Sequence, residues 1–386
     1  MGRSATFGRT LVLLLLLLAA GCSVRGTEAM RLLNDIDAGF GPSTLKEATP
    51  KPERRAVGYV VEGRGYAGDL YLSSAGALAA LVLVPGLAPE GKDDPRLVAL
   101  AQSLARVRFA VLVPDLQGLR ALKVRASDVG EIADAVQWLS GNERLAPAGQ
   151  VGLAAISYAA GPALLATLEP RVEGRVAFFV SVGGYYDIAQ AITFAATGAY
   201  RTPEGWRFAE ANPYGKWVFV GSNAERMAEQ SERALLWAIA ERKLDEPRAP
   251  IADLTARLGP DGQAVMALVE NTDPDKVPAL IEALPHALKA EIAALDPARA
   301  DLARFAARAI LIHGRADTII PFTESEALHR ALPEGQSALY LVDGLLHADA
   351  ELTFSDRLVL WDAGLALLEE RDRLSGLIEG ACPPEC

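Results

Sequence analysis

A short apolar run that ends at a serine and passes directly into helix-forming residues constrains this chain most. Residues 150–165 read Gln-Val-Gly-Leu-Ala-Ala-Ile-Ser-Tyr-Ala-Ala-Gly-Pro-Ala-Leu-Leu. The run before Ser157 is short enough for a buried strand, and the small residues after it favour a helix. Such a turn lifts the hydroxyl out of a sheet edge and directs free N–H groups at negative charge. The alternative is a serine that only caps a helix.

The rest of the chain alternates buried strands with amphipathic helices, which predicts a mostly parallel sheet with helices on both faces. Besides the strand before Ser157, strands are predicted at Val57–Val61, Asp69–Leu72, Ala77–Val84, Ala110–Val113, Val176–Val182, Ala309–His313 and Ala338–Val342. Helices are predicted at Pro95–Arg106, from a cap at Ser127 through Leu139, and at Ser355–Glu369.

The alternation breaks over residues 188–302, where at most one short strand is expected, at Trp217–Val220. Aromatic residues are dense around the start of this segment, and helical sequence rich in alanine and charge follows. We interpret it as a mainly helical cap over the carboxyl edge of the sheet, dividing the core into residues 56–187 and 303–378. For most of the aromatic residues, ordinary packing of a helical subdomain is the alternative.

The N-terminal residues predict an export signal over residues 1–21. Arg3 and Arg9 precede an apolar run that is too short for a confident membrane span, and small residues lead to Cys22. These residues resemble the lipobox of bacterial lipoproteins, which implies a lipid (palmitate) on Cys22, a membrane partner and a place in the bacterial envelope. Ser23 favours the outer membrane. The alternative is an ordinary cleaved signal with an incidental cysteine. Residues 22–55 are predicted to be a tether with room for a short helix at Glu28–Ile36.

Charge and cysteine content limit the partners. The chain carries a formal charge of −11, and −13 without the two arginines of the signal, which argues against nucleic acid and anionic lipid surfaces as ligands. Cys382 and Cys386, in a tail over residues 379–386, are expected to form a local disulfide staple. The sequence has no phosphate loop, dinucleotide glycine motif or metal cluster, so no cofactor or metal is expected.

A serine nucleophile needs a base, and the base needs a carboxylate to orient it. Of the 4 histidines, His347 alone lies in a loop just after a predicted strand, and Asp317 lies in the loop after the preceding strand. With Ser157 they are expected at the sheet edge where ligands bind such folds. Asp187 is the alternative acid.

These segments resemble the α/β-hydrolase superfamily over about Val57 to Glu369. The resemblance lies in the elbow Ala155-Ile156-Ser157-Tyr158-Ala159, with alanines in the glycine positions of the family pattern, in Gly314-Arg315-Ala316-Asp317 followed by Ile319-Ile320-Pro321, and in Asp343-Gly344 before His347. The order Ser, Asp, His along the chain also matches the order in that family.

The resemblance implies a serine hydrolase acting on a small-molecule ester or related acyl substrate, with a cap inserted after the sixth strand. Ser157 would attack the acyl carbon, His347 would act as base and then acid, and Asp317 would orient it. The backbone N–H groups of Tyr158 and Leu87 would form the oxyanion hole. Two alternatives stay open: a peptidase of the same fold, and a catalytically silent fold that binds a ligand or partner through the cap.

Overall fold

The structure, a computed structural model, describes residues 24–123, 125–347 and 351–377. The export signal, Cys22 and the tail with Cys382 and Cys386 lie outside the described residues. The expectations about these segments stay predictions.

The described part of the chain contains ten strands: β1 (Glu53–Val61), β2 (Arg64–Leu72), β3 (Ala79–Val84), β4 (Phe109–Pro114), β5 (Val151–Ile156), β6 (Val176–Val182), β7 (Ala199–Thr202), β8 (Gly205–Phe208), β9 (Arg308–Gly314) and β10 (Ser337–Val342). The α-helices are α1 (24–38), α2 (Thr44–Ala48), α3 (Pro95–Arg106), α4 (Gln117–Arg120), α5 (Ala126–Ser140), α6 (Ala160–Thr167), α7 (Ile188–Thr197), α8 (Tyr214–Asn223), α9 (Gln230–Asp245), α10 (Ala252–Thr255), α11 (Pro260–Val269), α12 (Val277–Glu282), α13 (His286–Ala294), α14 (Thr323–Ala331) and α15 (Phe354–Leu374).

Eight strands form one sheet in the order β1-β2-β4-β3-β5-β6-β9-β10. Neighbouring strands are parallel from β4 to β10, whereas β2 is antiparallel to both β1 and β4. The predicted, mostly parallel sheet is confirmed. Parallel strands need crossover connections, which here are the helices, and all carboxyl ends from β4 to β10 therefore reach one edge.

Successive residues of β3 point to opposite faces of the sheet, and each face is covered by helices. Ala80, Val82 and Val84 pack into an apolar layer with α5, α6 and α14. Ala79, Leu81 and Leu83 pack into a second layer with α1, α3 and α15. A strand that is buried on both faces has a continuous apolar sequence, and β3 could be predicted for this reason. The predicted helices on both faces are confirmed.

Between β6 and β9 the chain forms α7 to α13 and the separate hairpin β7–β8. We call this segment the cap; α8, α9, α11, α12 and α13 share an apolar core of their own. The short strand expected at Trp217–Val220 is wrong, because these residues lie within α8. Trp217 and Val220, three residues apart, are both buried in the cap core, so helix packing outweighs the strand preference of the run. The hairpin was not expected.

The two ends of the cap meet at one place, which we call the neck. Ala298 N donates to Tyr186 O at 3.2 Å. The Glu324 side chain, on α14, accepts from the N–H groups of Tyr186 and Asp187 at 3.0 and 2.7 Å. Burial raises the pKa of Glu324 to about 8. The entry and exit of the cap are therefore tied to each other and, through Glu324, to the core.

The expected tether over residues 22–55 is corrected in its described part. Residues 24–38 form α1, whose Ala29 and Leu32 are only 1% and 2% exposed against the sheet layer of α3 and α15. Arg371 of α15 binds Glu28 at 2.6 Å, and Ser103 of α3 donates to the fully buried Asp35 at 2.6 Å. Residues 24–38 therefore belong to the folded domain.

The burial of α1 predicts that Leu32→Ala destabilises the protein by about 2–5 kcal/mol, since it opens a cavity in the core. Met30→Ala, on the exposed side of the same helix (36% exposed), is the matched control and should change the free energy of unfolding by less than about 0.5 kcal/mol. Urea unfolding measures both values. Equal, negligible effects would mean that α1 is not packed on the domain.

Candidate active site

The chain turns sharply at Ser157, directly after β5. Ser157 begins a single 3₁₀ turn that leads into α6, and its φ of 59° lies in the left-handed region. A residue other than glycine in this conformation costs about 1–3 kcal/mol, which the surrounding structure has to supply. Ala155 and Ala159 are both fully buried, so the small side chains on either side of the serine fill the contact between strand and helix.

The structure brings together three residues proposed from the sequence, since Ser157, His347 and Asp317 form one hydrogen-bonded chain. Ser157 Oγ lies 2.7 Å from His347 Nε2, and His347 Nδ1 lies 2.8 Å from Asp317 Oδ2. The side chain of Asp317 is 3% exposed and that of His347 is 16% exposed. With Nδ1 donating to the carboxylate, Nε2 is the nitrogen left to accept the serine proton.

The Asp317 carboxylate is fixed by its own loop. Its Oδ1 accepts from the N–H groups of Ile319 and Ile320 at 2.8 and 3.0 Å. Burial by itself would raise the pKa of Asp317, but hydrogen bonds from His313 and His347 outweigh burial and hold that pKa well below its usual range. Asp317 therefore stays charged and fixed in orientation beside His347.

The loop that carries His347 is held by two contacts outside the hydrogen-bonded chain. Asp356, in the first turn of α15, accepts from the N–H groups of Asp343 and Gly344 at 2.8 and 3.3 Å. At the end of β9, a side chain on Gly314 would collide with the Leu345 carbonyl, since a Cβ there would lie 1.8 Å from that oxygen. Sequence reasoning missed Asp356, although Thr353 and Asp356 have the spacing of a capping box.

Gly183, directly after β6, is a second residue that sequence reasoning missed. Its φ is +62°, and a Cβ there would lie 3.4 Å from Asp317 Oδ2 and 3.8 Å from His347 Nδ1. A Cβ at these distances would make ordinary contacts, so it is the positive φ that favours glycine beside the His347–Asp317 pair. A glycine directly after a strand that shares the edge with Ser157 and Asp317 is the only sequence signal for this position.

Two backbone N–H groups proposed for an oxyanion hole lie near Ser157. Tyr158 is the second residue of the 3₁₀ turn, where helical N–H groups lack intrahelical partners. Leu87 lies in the loop after β3, and its neighbour Gly86 passes beside the serine, with a Cβ position 3.6 Å from Ser157 Cβ. Among the described residues, no hydrogen bond uses the N–H of Leu87.

Within the described residues, Asp187 and the other histidines do not contact Ser157. Asp187 caps α7 by accepting from Ala189 N and Gln190 N at 2.9 and 3.1 Å. His313 is fully buried and pairs through Nδ1 with Ser325 Oγ at 2.7 Å. His329 contacts Ser337 on the surface. Of the histidines, only His347 contacts Ser157 within the part of the chain described here.

An apolar cavity of about 70 Å³ lies between the core and the cap. Leu87 and Tyr158 line it from the core, and α7, α8, α11 and α13 line it from the cap. The cavity therefore reaches the two residues proposed for the oxyanion hole. The cap lies over this edge of the sheet.

The chain is similar to several solved structures, all at low sequence identity. No family model and no curated protein matches the sequence. Similar solved structures include an acylaminoacyl peptidase from Pyrococcus horikoshii (11% identity, TM-score 0.49, 87% of this chain and 44% of that chain). An α/β hydrolase from Penicillium (15%, 0.45, 84% and 99%) and a serine hydrolase from Cycloclasticus zankles (14%, 0.43, 85% and 100%) are also similar. The chain spans less than half the length of the peptidase.

The predicted architecture, a mostly parallel sheet with a mainly helical segment between β6 and β9, is present in the described residues. At these identities the similar structures assign no activity to this chain. Among residues 24–123, 125–347 and 351–377, no helix combines the length and apolar character needed to cross a membrane. The same residues contain no group of three or more His, Cys, Asp or Glu arranged to hold a metal ion.

The environment of Asp317 predicts how stability depends on pH in Asp317→Asn. The pKa of Asp317 in the folded state lies below its unfolded value of about 3.9, so its charge stabilises the fold above about pH 4. That stabilisation is lost as the pH falls through the folded pKa. The variant should therefore be less stable than the wild type at pH 7, and the difference should shrink below about pH 4.

Urea unfolding at pH 7, 5 and 3 measures this difference. Asp343→Asn is the control, because the Asp343 side chain is 76% exposed and its substitution should leave the pH dependence unchanged. A difference for Asp317→Asn that stays constant down to pH 3 would contradict the interpretation.

Proposed function

We propose that the protein is a serine hydrolase that cleaves an ester or related acyl substrate through an acyl-enzyme. The observation that carries this proposal is the 2.7 Å contact between Ser157 Oγ and His347 Nε2, with Asp317 on the other ring nitrogen. A serine hydroxyl becomes a nucleophile when a base removes its proton, and the base works best when a carboxylate fixes its tautomer.

In the first half of the reaction Ser157 Oγ bonds to the acyl carbon while its proton moves to His347 Nε2. The carbonyl π electrons move to the oxygen, which accepts from the N–H groups of Tyr158 and Leu87; each such donor is typically worth about 3 kcal/mol. His347 then gives the proton to the leaving oxygen as the bond between it and the acyl carbon breaks. Asp317 stabilises the imidazolium and remains ionised throughout.

In the second half a water molecule attacks the acyl-enzyme. His347 takes a proton from the water, the acyl carbon gains the hydroxyl, and the proton returns to Ser157 Oγ as the ester bond breaks. The products are a carboxylic acid and the free enzyme, and no cofactor enters either half.

The strained serine and its hydrogen bond favour catalysis over a silent binding fold. Ser157 adopts a left-handed backbone conformation, which is unfavourable for a residue with a side chain. A fold that only binds a ligand gains nothing from this cost or from a charged aspartate buried beneath the histidine. Strain of this kind concentrates where it serves a reaction.

The cavity favours an ester with a short acyl group over a peptide with a free amino terminus. Its volume of about 70 Å³ is well below the roughly 300 Å³ at which sites for drug-sized ligands begin. A free amine would need a carboxylate partner. Glu291, the carboxylate among the described lining residues, already binds Arg226 at 2.7 Å and accepts from Ala126 N at 2.6 Å.

Treatment with a fluorophosphonate tests the nucleophile. The full-length chain should gain one adduct, which peptide mapping places on Ser157, and His347→Gln should slow labelling at least 100-fold because the base is lost. Ser157→Ala should abolish both labelling and ester hydrolysis.

Ser337→Ala is the matched control, since Ser337 also hydrogen-bonds a histidine, His329, but does so on the surface. It should keep the adduct on Ser157. A folded wild-type protein that gains no adduct would refute the hydrolase and support the silent binding fold.

We further propose that Cys22 carries a lipid that holds the protein on the bacterial envelope. The proposal rests on the basic and apolar residues before Cys22 and on the small residues Ala19-Ala20-Gly21. Folding of α1 soon after Cys22 would place the domain close to the membrane surface.

Metabolic labelling with palmitate in a bacterial host tests the lipid. The wild type should be labelled and sediment with membranes, whereas Cys22→Ser should be unlabelled. Cys382→Ser is the control and should keep the label. Label retained in Cys22→Ser, or a processed chain that begins at another residue, would contradict the proposal.

A further inference from the structure

The first turn of α8 lies directly over the candidate active site. A Cβ on Gly215 would lie 3.4 Å from Tyr158 Oη and 3.8 Å from Ile319 Cγ2. Tyr158 belongs to the serine turn, and Ile319 belongs to the loop of Asp317. The next residue, Lys216, lines the cavity and is half-buried. It brings a cationic side chain to a wall that is otherwise mostly apolar.

Three other polar residues of the cavity wall, on the cap side, have partners within the protein. Asn223 donates to Phe219 O at 2.8 Å and accepts from Arg226 at 2.9 Å. Ser222 donates to Phe219 O at 3.2 Å, and Glu291 is paired with Arg226. These groups are engaged in holding the cap together.

Lys216 differs from them. Within the described residues its ammonium group makes no hydrogen bond and no ion pair, and it lies over the Trp217 ring, 5.6 Å from the centroid. Lys243 lies over the same ring at 5.4 Å and donates a hydrogen bond to Pro247 O. Lys216 is therefore a residue of the cavity wall whose ammonium group has no hydrogen-bond acceptor among the described residues.

The surroundings oppose the charge of Lys216. Burial and then the neighbouring Lys243 lower its pKa, and the exposed Glu270 only partly offsets them. Lys216 also lies in the first turn of α8, where the helix dipole is positive and a cation is unfavourable, and that turn contains no acidic residue. An anionic group of a ligand in the cavity would therefore be a favourable partner for this ammonium group.

We propose that Lys216 selects acyl substrates that carry a carboxylate at the end of a short acyl chain. The reacting carbonyl would lie between Ser157 and the N–H groups of Tyr158 and Leu87. The apolar cavity would hold the methylene groups, and the carboxylate would accept hydrogen bonds from Lys216. This inference rests on the proposed hydrolase function and names its substrate class: a half-ester of a short dicarboxylic acid.

Two esters of the same acyl length test the proposal on the full-length protein. Monoethyl glutarate ends in a carboxylate, and ethyl pentanoate ends in a methyl group. The wild type should hydrolyse monoethyl glutarate with the higher kcat/KM. In Lys216→Met the ratio of the two kcat/KM values should fall roughly 10- to 100-fold, the usual effect of losing a charge-assisted hydrogen bond.

The loss should lie in KM and not in kcat, because the carboxylate is remote from the bond that breaks and is bound equally before and during the reaction. Lys216→Arg should restore part of the preference. Lys276→Met, which removes an amine that is 70% exposed elsewhere on the cap, is the control and should leave both esters unaffected.

A second measurement separates failure of this inference from failure of the proposed function. Monoethyl glutarate should slow fluorophosphonate labelling of Ser157 in the wild type and not in Lys216→Met. Equal protection in both proteins, or an unchanged kcat/KM ratio in Lys216→Met, would overturn the role of Lys216 and leave the hydrolase intact. Absence of any labelling in the folded wild type would refute the hydrolase itself.

Discussion

The hydrogen-bonded chain of Ser157, His347 and Asp317 has to cross a strand that contributes no side chain to it. Ser157 follows β5 and Asp317 follows β9, and β6 lies between these strands. Neighbouring strands are about 4.8 Å apart, so the two loops are roughly 10 Å apart at the edge. His347 bridges this distance from the loop after β10 and passes beside Gly183, which follows β6 with a positive φ. The site therefore depends on strand order and on the backbone turn at Gly183.

Much of this arrangement could be predicted from the sequence because it follows from where strands end. Ser157, Asp317 and His347 each come soon after an apolar run, and the carboxyl ends of parallel strands share an edge whatever their order. Continuous apolar runs such as β3 can also be predicted to be strands, since burial on both faces removes the alternation of apolar and polar residues. The fold class and the identities of the three residues needed no knowledge of which strands are neighbours.

The features that could not be predicted depend on contacts between distant parts of the chain. The sequence allowed a helix at Glu28–Ile36 but placed it in a tether, because the burial of α1 comes from α3 and α15, more than sixty residues away. Trp217–Val220 has the composition of a strand, and only the cap core makes it helical. Gly183 matters because β6 adjoins β9, a pairing across the whole cap that no local pattern specifies. In the sequence Lys216 cannot be distinguished from a surface lysine, and only the structure shows that it lines the cavity.

Because the chain enters and leaves the cap at the neck, the cap can evolve separately from the core. The segment leaves and rejoins the core where Tyr186 O meets Ala298 N, so its two ends lie side by side. A segment attached in this way can lengthen, shorten or be exchanged for another without rethreading any strand of the sheet. Selection on the substrate can therefore act on the cap, where Lys216 lies, while the serine turn and the acid and histidine loops stay fixed. Related chains should therefore differ most in sequence between Tyr186 and Ala298. Their substrate specificity should change more readily than their catalytic chemistry.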